Sequence, residues 1–175
     1  MSYNGTAWTA NLLTTSTDTS ALNDVSCAST TFCSAISQAG IAWTWNGSTV
    51  SSKYIFTGRV PGTSVNCPTP SMCIYGSRNG RVVTWSSSGG WQVPSQVFDQ
   101  SVVSISCLPG TVSCMALDAT GRVSTSVGGK VWSAPEVVVG NGSALGLSCT
   151  VDATCTIIDS FSATRTGLGS PSRLH

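Results

Sequence analysis

The sequence predicts an all-β propeller of four blades, each a four-stranded antiparallel sheet, and three observations carry that expectation. The first is a period. Cys27, Cys67, Cys107 and Cys149 form one series and Cys33, Cys73, Cys114 and Cys155 a second, in steps of 40 to 42 residues, the length of one propeller blade. The second is that other positions keep the same beat. Val25, Val65, Ile105 and Leu147 stand two residues before the first Cys of each unit, and Gly40, Gly80 and Gly121 close a turn after the second strand. The third is local pattern: stretches such as Val25-Ser26-Cys27 and Ile105-Ser106-Cys107 alternate apolar and polar residues, and no segment sustains a 3.6-residue period.

Taken in order, Tyr3 to Leu13 reads as the end of a repeat, with an Asn4-Gly5 turn before Trp8, so the chain starts out of phase. Thr14 to Ser20 is a polar connector. Leu22 to Cys27, Phe32 to Ser37, Ile41 to Trp45 and Val50 to Phe56 are the four strands of the first unit, and Asn46-Gly47 is a strong hairpin signal between the last two. The second unit runs from Gly62 to Trp85, with an outer strand from Trp91 to Phe98 interrupted by Pro94, a residue that belongs on a sheet edge. The third centres on Val102 to Trp132 and trails through Val131 to Val139. Ala144 to Thr166 supplies three strands of the fourth unit.

The strand that should follow Thr166 is expected at the N-terminus, where Trp8 completes the last blade and removes a sheet edge. The expected organisation is one propeller domain over residues 3–166 and a polar tail over 167–175. Two assemblies fit: a ring of four blades closed within one chain, which the permutation favours, or half of an eight-bladed ring completed by a second copy. Monomer and homodimer are the corresponding states.

Only 9% of the 175 residues are charged and the net charge is +1, which leaves no electrostatic footprint for nucleic acid or an anionic membrane. No apolar run approaches a transmembrane helix. The eight cysteines come in close pairs, which points to an oxidising compartment. Hairpin disulfides Cys27–Cys33, Cys67–Cys73, Cys107–Cys114 and Cys149–Cys155 are the expected pairing, because each spacing suits a link across two strands. Zinc held by four thiolates is the rival, but it needs shorter spacings and two converging units. No secretory leader is visible, so an extracellular domain excised from a longer precursor is expected.

The pattern Ser-Cys, Cys-x-Ala, Asp-x-x-Gly and Trp resembles a family of bacterial secreted and cell-surface β-propeller repeats. Val25-Ser26-Cys27, Phe32-Cys33-Ser34-Ala35, Cys114-Met115-Ala116-Leu117-Asp118 and Asn4-Gly5-Thr6-Ala7-Trp8 carry that resemblance. It covers Tyr3 to about Thr166 and implies a binding or scaffold module. The turn Ser126 to Trp132 is distantly similar to the sialidase-type Asp-box, without its Asp.

Chemistry-bearing residues are few. The sole histidine is His175, in the tail, which removes His-based nucleophile constellations unless the tail folds back. Asp118 and Asp159, like Ser37 and Ser77 in the other units, occupy turn positions suited to capping backbone N–H groups. Asp24 stands beside an inner strand and is the acid best placed to face a central channel. Trp43, Trp45, Trp85, Tyr54 and Tyr75, with Arg81 nearby, are the candidate ligand-binding residues; Trp43 breaks the repeat, since Val83 and Ser124 take its place. Trp45 and Trp85 also suit packing between blades. No motif for a cofactor or metal is present. The expected function is a non-catalytic, lectin-like or protein-binding extracellular module. A carbohydrate-active enzyme using Asp24 and a purely structural repeat are the alternatives.

Overall fold

The computed structural model describes residues 2–3, 5–9, 20–140, 142–161 and 164–168. The expected connector over 14–19 and the end of the tail, 169–175 with His175, lie outside the described residues. The strands are β1 (Ser2–Tyr3), β2 (Trp8–Thr9), β3 (Leu22–Ser29), β4 (Phe32–Ser37), β5 (Ile41–Trp45) and β6 (Val50–Tyr54). Then come β7 (Gly62–Thr69), β8 (Met72–Ser77), β9 (Arg81–Ser86), β10 (Gly90–Trp91) and β11 (Ser95–Gln96). The remainder are β12 (Val102–Cys107), β13 (Ser113–Asp118), β14 (Arg122–Val127), β15 (Glu136–Val137), β16 (Ala144–Cys149), β17 (Thr154–Asp159) and β18 (Thr164–Leu168).

They form four antiparallel meanders: β3-β4-β5-β6; β7-β8-β9 with β10 and β11 both paired to β9; β12-β13-β14-β15; and β16-β17-β18. One strand order repeats because one sequence repeats. In every unit a short turn joins the first two strands, and the cysteines flanking it are bonded: Cys27–Cys33, Cys67–Cys73, Cys107–Cys114 and Cys149–Cys155. A second turn closes on glycine. Gly40, Gly80 and Gly121 have φ of 74°, 78° and 82°, and each donates its N–H to the carbonyl of Ser37, Ser77 or Asp118. A side chain at Gly80 would also strike the Phe98 carbonyl, 2.0 Å from an added Cβ, so glycine alone fits the turn. The expected caps are in place. Ser37 Oγ accepts from Ile41 N, Ser77 Oγ from Arg81 N, Asp118 Oδ1 from Arg122 N, and Asp159 Oδ1 from Phe161 N.

The outer strands are shorter than the sequence suggests. The expected strand Trp91 to Phe98 divides into β10 and β11 around Pro94, and Val131 to Val139 leaves β15 and a single bridge from Trp132 to Ser126. Proline at 94 and at 135 lacks the amide donor a continuous ladder needs. Conversely, β18 runs on through Gly167 and Leu168, which the expectation placed in the tail.

Three apolar cores separate consecutive sheets. Phe32, Ile36, Phe56, Val65 and Tyr75 fill the first, Ile74, Phe98, Val102 and Ile105 the second, and Leu117, Val139, Ala144 and Leu147 the third. Strand alternation explains the division: on β8, Ile74 faces the third sheet and its neighbour Tyr75 the first.

The joints between sheets share a polar code beside their apolar filling. Val65 N donates to Asp24 Oδ2 at 2.8 Å, Ile105 N to Ser64 Oγ at 3.1 Å, and Leu147 N to Ser104 Oγ at 3.2 Å. In each case the inner strand of one blade hands an amide proton to the side chain three positions before the first Cys of the preceding blade. A second rung joins Cys67 N to Ser26 Oγ and Cys149 N to Ser106 Oγ, both at 2.9 Å.

The two ends of the stack are exposed in part: on the outward face of the first sheet Ala35, Ile41 and Trp43 are buried while Leu22 and Val25 are open. Val25 is 64% exposed although its equivalents Val65, Ile105 and Leu147 are 3%, 4% and 9% exposed, and Ile158 is 48% exposed where Ile36 and Leu117 are 0%. Among the described residues the four blades thus form an arc whose first and fourth inner strands have no blade packed against Val25 or Ile158. Trp8–Thr9 pairs with Ser2–Tyr3 in a hairpin of its own, and the fourth sheet is described with three strands.

Candidate functional site

The expected site residues divide between two edges of the arc. The turn edge carries Tyr54, paired with Ile41 just after Gly40, and Arg81, just after Gly80. The disulfide edge carries Trp45, opposite Cys33, and Trp85, opposite Cys73. On the turn edge, the Arg59 guanidinium lies over the Tyr54 ring at 6.0 Å, and Arg81 Nε donates to Gln96 Oε1 at 3.1 Å. These are exposed local contacts that bring nothing else of the set together.

Trp43 and Tyr75 lie inside. Trp43 packs with Ala35 and Ile41 on the face of the first sheet turned away from the second, so its ring offers no open face to a ligand. Its indole N–H has no partner among the described residues. Tyr75 is wholly buried in the first joint. Ser34 Oγ donates to Trp43 O at 2.7 Å and lies 2.8 Å from Tyr75 Oη; with its proton committed, Ser34 accepts from the phenol. Burial pushes Tyr75 up to about 12, with the hydrogen bonds to Ser34 and Thr44 pulling the other way.

Asp24 is a joint residue. One carboxylate oxygen accepts from its neighbour Val25 N at 2.8 Å and the other from Val65 N and Ser64 Oγ, at 2.8 and 3.2 Å. The carboxylate is thus held by two consecutive blades, a structural use that supports the arc. Asp118 is used likewise: buried, it takes Thr120 N, Thr120 Oγ1 and Arg122 N on Oδ1, while Arg122 Nε reaches Oδ2 at 2.7 Å. Arg122 also pairs with exposed Asp99. The hydrogen bond from Arg122 holds the Asp99 carboxyl below its ordinary range.

What the disulfide edge does assemble is an aromatic shelf across the first joint. Phe32, at the start of β4, stacks on Trp85 of the second sheet with centroids 5.6 Å apart and planes 19° apart. Trp91 sits across from Trp85 in the β9–β10 ladder, 6.5 Å from it and 5.2 Å from the Tyr75 ring. The Lys53 ammonium, from the outer strand of the first sheet, lies 5.9 Å from the centre of the Trp91 ring. Trp85 and Trp91 are half-buried and Lys53 is exposed. The shelf therefore has a fixed base, a partly open pair of indole rings and a cation at its border. It can hold a flat or apolar group by stacking.

The sequence reading missed Phe32, Trp91 and Lys53. Trp91 shares its place after a glycine turn with Trp132, and that repetition read as scaffold. Phe32 belonged to the repeat pattern, and nothing in linear order brings Lys53 to Trp91. A crevice between the third and fourth sheets, lined by Ser106, Met115, Thr125 and Cys149, has a cavity volume of about 10 Å³, room for little more than one water. That is smaller than the roughly 300–1,000 Å³ of small-molecule sites, so an open surface is the better candidate.

No protein-family model matches the chain, and no curated protein sequence matches it. Solved structures do. The WD40 repeats of RRP9 superpose with a TM-score of 0.71 at 7% identity, over 85% of this chain and 51% of that one. The WD40 β-propeller domain of Doa1 gives 0.69 at 13% identity, over 83% and 50%. The computationally designed Ika4 protein gives 0.67 at 10% identity, over 86% and 92%. The chain thus spans about half the length of the WD40 structures it matches. At such identities the likeness speaks for the fold: the four disulfide-stapled sheets are consecutive blades of a β-propeller.

Proposed function

We propose that this chain is a non-catalytic binding module that presents the Phe32–Trp85–Trp91 shelf to the surface of a partner protein, in an oxidising, extracellular setting. The observation that carries the proposal is the pair of half-open indole rings, fixed from below by Tyr75 and Phe32 and bordered by Lys53. Rigid, preorganised aromatics of this kind are frequent binding hot spots. Four disulfides support the oxidising setting, since such bonds persist outside reducing compartments. The engagement of Asp24 with three donors supports a non-catalytic reading, because a working acid or base must be able to meet a substrate.

A glycan is the second reading. It is favoured by Ser86, Ser87, Ser88 and Gln92 around Trp91 in sequence, since sugars combine ring stacking with hydroxyl and amide hydrogen bonds. A phage-displayed peptide library and an array of defined glycans separate the two. Peptide hits that lose about 30-fold in affinity in Trp91→Ala, the size of an aromatic hot spot, support the protein reading; glycan hits with the same loss support the second. Binders indifferent to Trp91→Ala and Lys53→Ala would remove the shelf from the account.

A further inference from the structure

We propose that the Asn46–Gly47 turn is a self-modifying site: the Gly47 amide nitrogen attacks the Asn46 carboxamide, ammonia leaves, and water opens the resulting succinimide to aspartate or isoaspartate at position 46. The sequence supplies the two reacting groups side by side, in the turn between β5 and β6. Asparagine is among the thermolabile residues, and a following residue without a side chain leaves the attacking nitrogen open to close approach. Placement within one turn replaces a bimolecular encounter.

The fold adds activation. Asn46 Oδ1 accepts from Thr49 N at 2.8 Å and Ser48 N at 3.1 Å, and from the hydroxyls of Ser48 and Thr49 at 3.1 and 3.2 Å. These donors face the oxygen on which negative charge develops as the nitrogen adds to Cγ, so a single turn builds its own oxyanion hole. Neither Gly47 N nor Asn46 Nδ2 has a hydrogen-bond partner among the described residues. Residues 46–49 are all exposed, so water and base reach them.

The step balances with water alone. A base in solution takes the Gly47 amide proton as the Gly47 N–Cγ bond forms. The Cγ–Nδ2 bond then breaks, and Nδ2 leaves as ammonia with a proton returned from solvent. One water adds to either succinimide carbonyl; one water is consumed, one ammonia is released, and nothing is oxidised or reduced. Opening at one carbonyl gives aspartate in an ordinary backbone, and at the other isoaspartate, whose backbone is longer by a methylene. The new carboxylate takes the chain from a net +1 to neutral. The longer backbone falls in the turn that sets Trp45 opposite Val50, on the way to Lys53 at the border of the aromatic shelf.

Asn79–Gly80 is the same dipeptide without the same freedom. Gly80 is buried and its N–H donates to Ser77 O at 3.2 Å. Asn79 Oδ1 has a single donor among the described residues, the Ser77 hydroxyl at 2.8 Å, and Gln96 Nε2 ties down Asn79 O at 2.7 Å. Attack at Asn79 therefore requires the turn to open first. Asn4 and Asn141, the other asparagines that precede glycine, lie outside the described residues.

Incubation of the whole chain at mildly alkaline pH with disulfides intact, followed by peptide mass mapping and isoaspartate-specific methylation, tests this directly. In the folded chain position 46 is expected to convert about tenfold or more faster than position 79, the equivalent of one hydrogen bond that must open. In the reduced, denatured chain the two positions are expected to convert at similar rates, with position 46 no faster than in the folded chain. Ser48→Ala combined with Thr49→Val removes both hydroxyl donors and keeps both amides. With an unchanged circular-dichroism spectrum, it is expected to slow position 46 by about tenfold, less than a donor in a water-excluded site contributes. Equal rates at the two positions in the folded chain, faster conversion of position 46 on denaturation, or an unchanged rate in the double variant would each overturn the proposal.

Discussion

The second joint and the two ends of the arc are built from the same repeat and differ chiefly in what lies beside them. At the joint, Val102 and Ile105 are sealed against Ile74 and Phe98, and the Ile105 amide is held by Ser64. At the ends the equivalent Val25 and Ile158 face solvent. The difference teaches that a blade supplies half an interface on each side and that its stability resides in the pairing, as in repeat proteins generally. The variants below probe that contrast, from the largest expected effect to the smallest.

Leu117→Ala empties a fully buried place in the third joint and is expected to cost about 3 kcal/mol, within the range for a core leucine truncation. Ile158→Ala, at a half-exposed position of the fourth sheet, should cost under about 1 kcal/mol. Denaturant melts of both variants make the comparison, and equal costs would remove the distinction between joint and end.

Disulfides come next. Closing a loop this small contributes about 2 kcal/mol in the chain-entropy picture, and that figure is common to all four. Access is not common: Cys67 and Cys73 are buried in the first core, whereas Cys27 is exposed. Under graded reductant, Cys27–Cys33 should open before Cys67–Cys73, as read by alkylation and peptide mass mapping. Simultaneous opening of the two would mean that the end blade is as well protected as the interior.

Tyr75 sets a pH dependence on the first joint. Its folded value of about 12 lies above the ordinary 10.0, so the folded state disfavours the phenolate. The stabilisation is complete below pH 10 and is lost as pH rises from there through about 12. Tyr75→Phe should remove that alkaline loss and lower stability at neutral pH by about 1 kcal/mol, the worth of one hydrogen bond. Melting temperatures across alkaline pH decide it; an identical alkaline decline in the variant would assign the effect elsewhere. Arg81→Ala, at an exposed turn, is the smallest: a change within about 0.5 kcal/mol is expected in the same melts.

The fold was legible because the repeat states it four times over. Cysteine spacing carried the hairpins, the glycines at 40, 80 and 121 carried the turns, and Ser37, Ser77, Asp118 and Asp159 carried the caps. Those are local features, settled within a few residues. The site was less legible because it depends on what one blade lays against another. Trp43 departs from the repeat and so looked like a ligand residue, yet alternation along β5 places it inside with Ala35 and Ile41. Asp24 looked like a channel acid; its role belongs to a partner 41 residues away, Val65. Trp91 looked like scaffold because it recurs, and only the meeting of two sheets sets it beside Lys53.

The shared joint is tested most directly by amide hydrogen exchange at Ile105 and Leu147 in the wild type and in Ser64→Ala. Both amides should exchange slowly in the wild type, and removal of the Ser64 hydroxyl should speed Ile105 by about tenfold or more, the equivalent of one lost hydrogen bond, while Leu147, held by Ser104, keeps its rate. Equal acceleration at both amides, or none at Ile105, would contradict the joint as described.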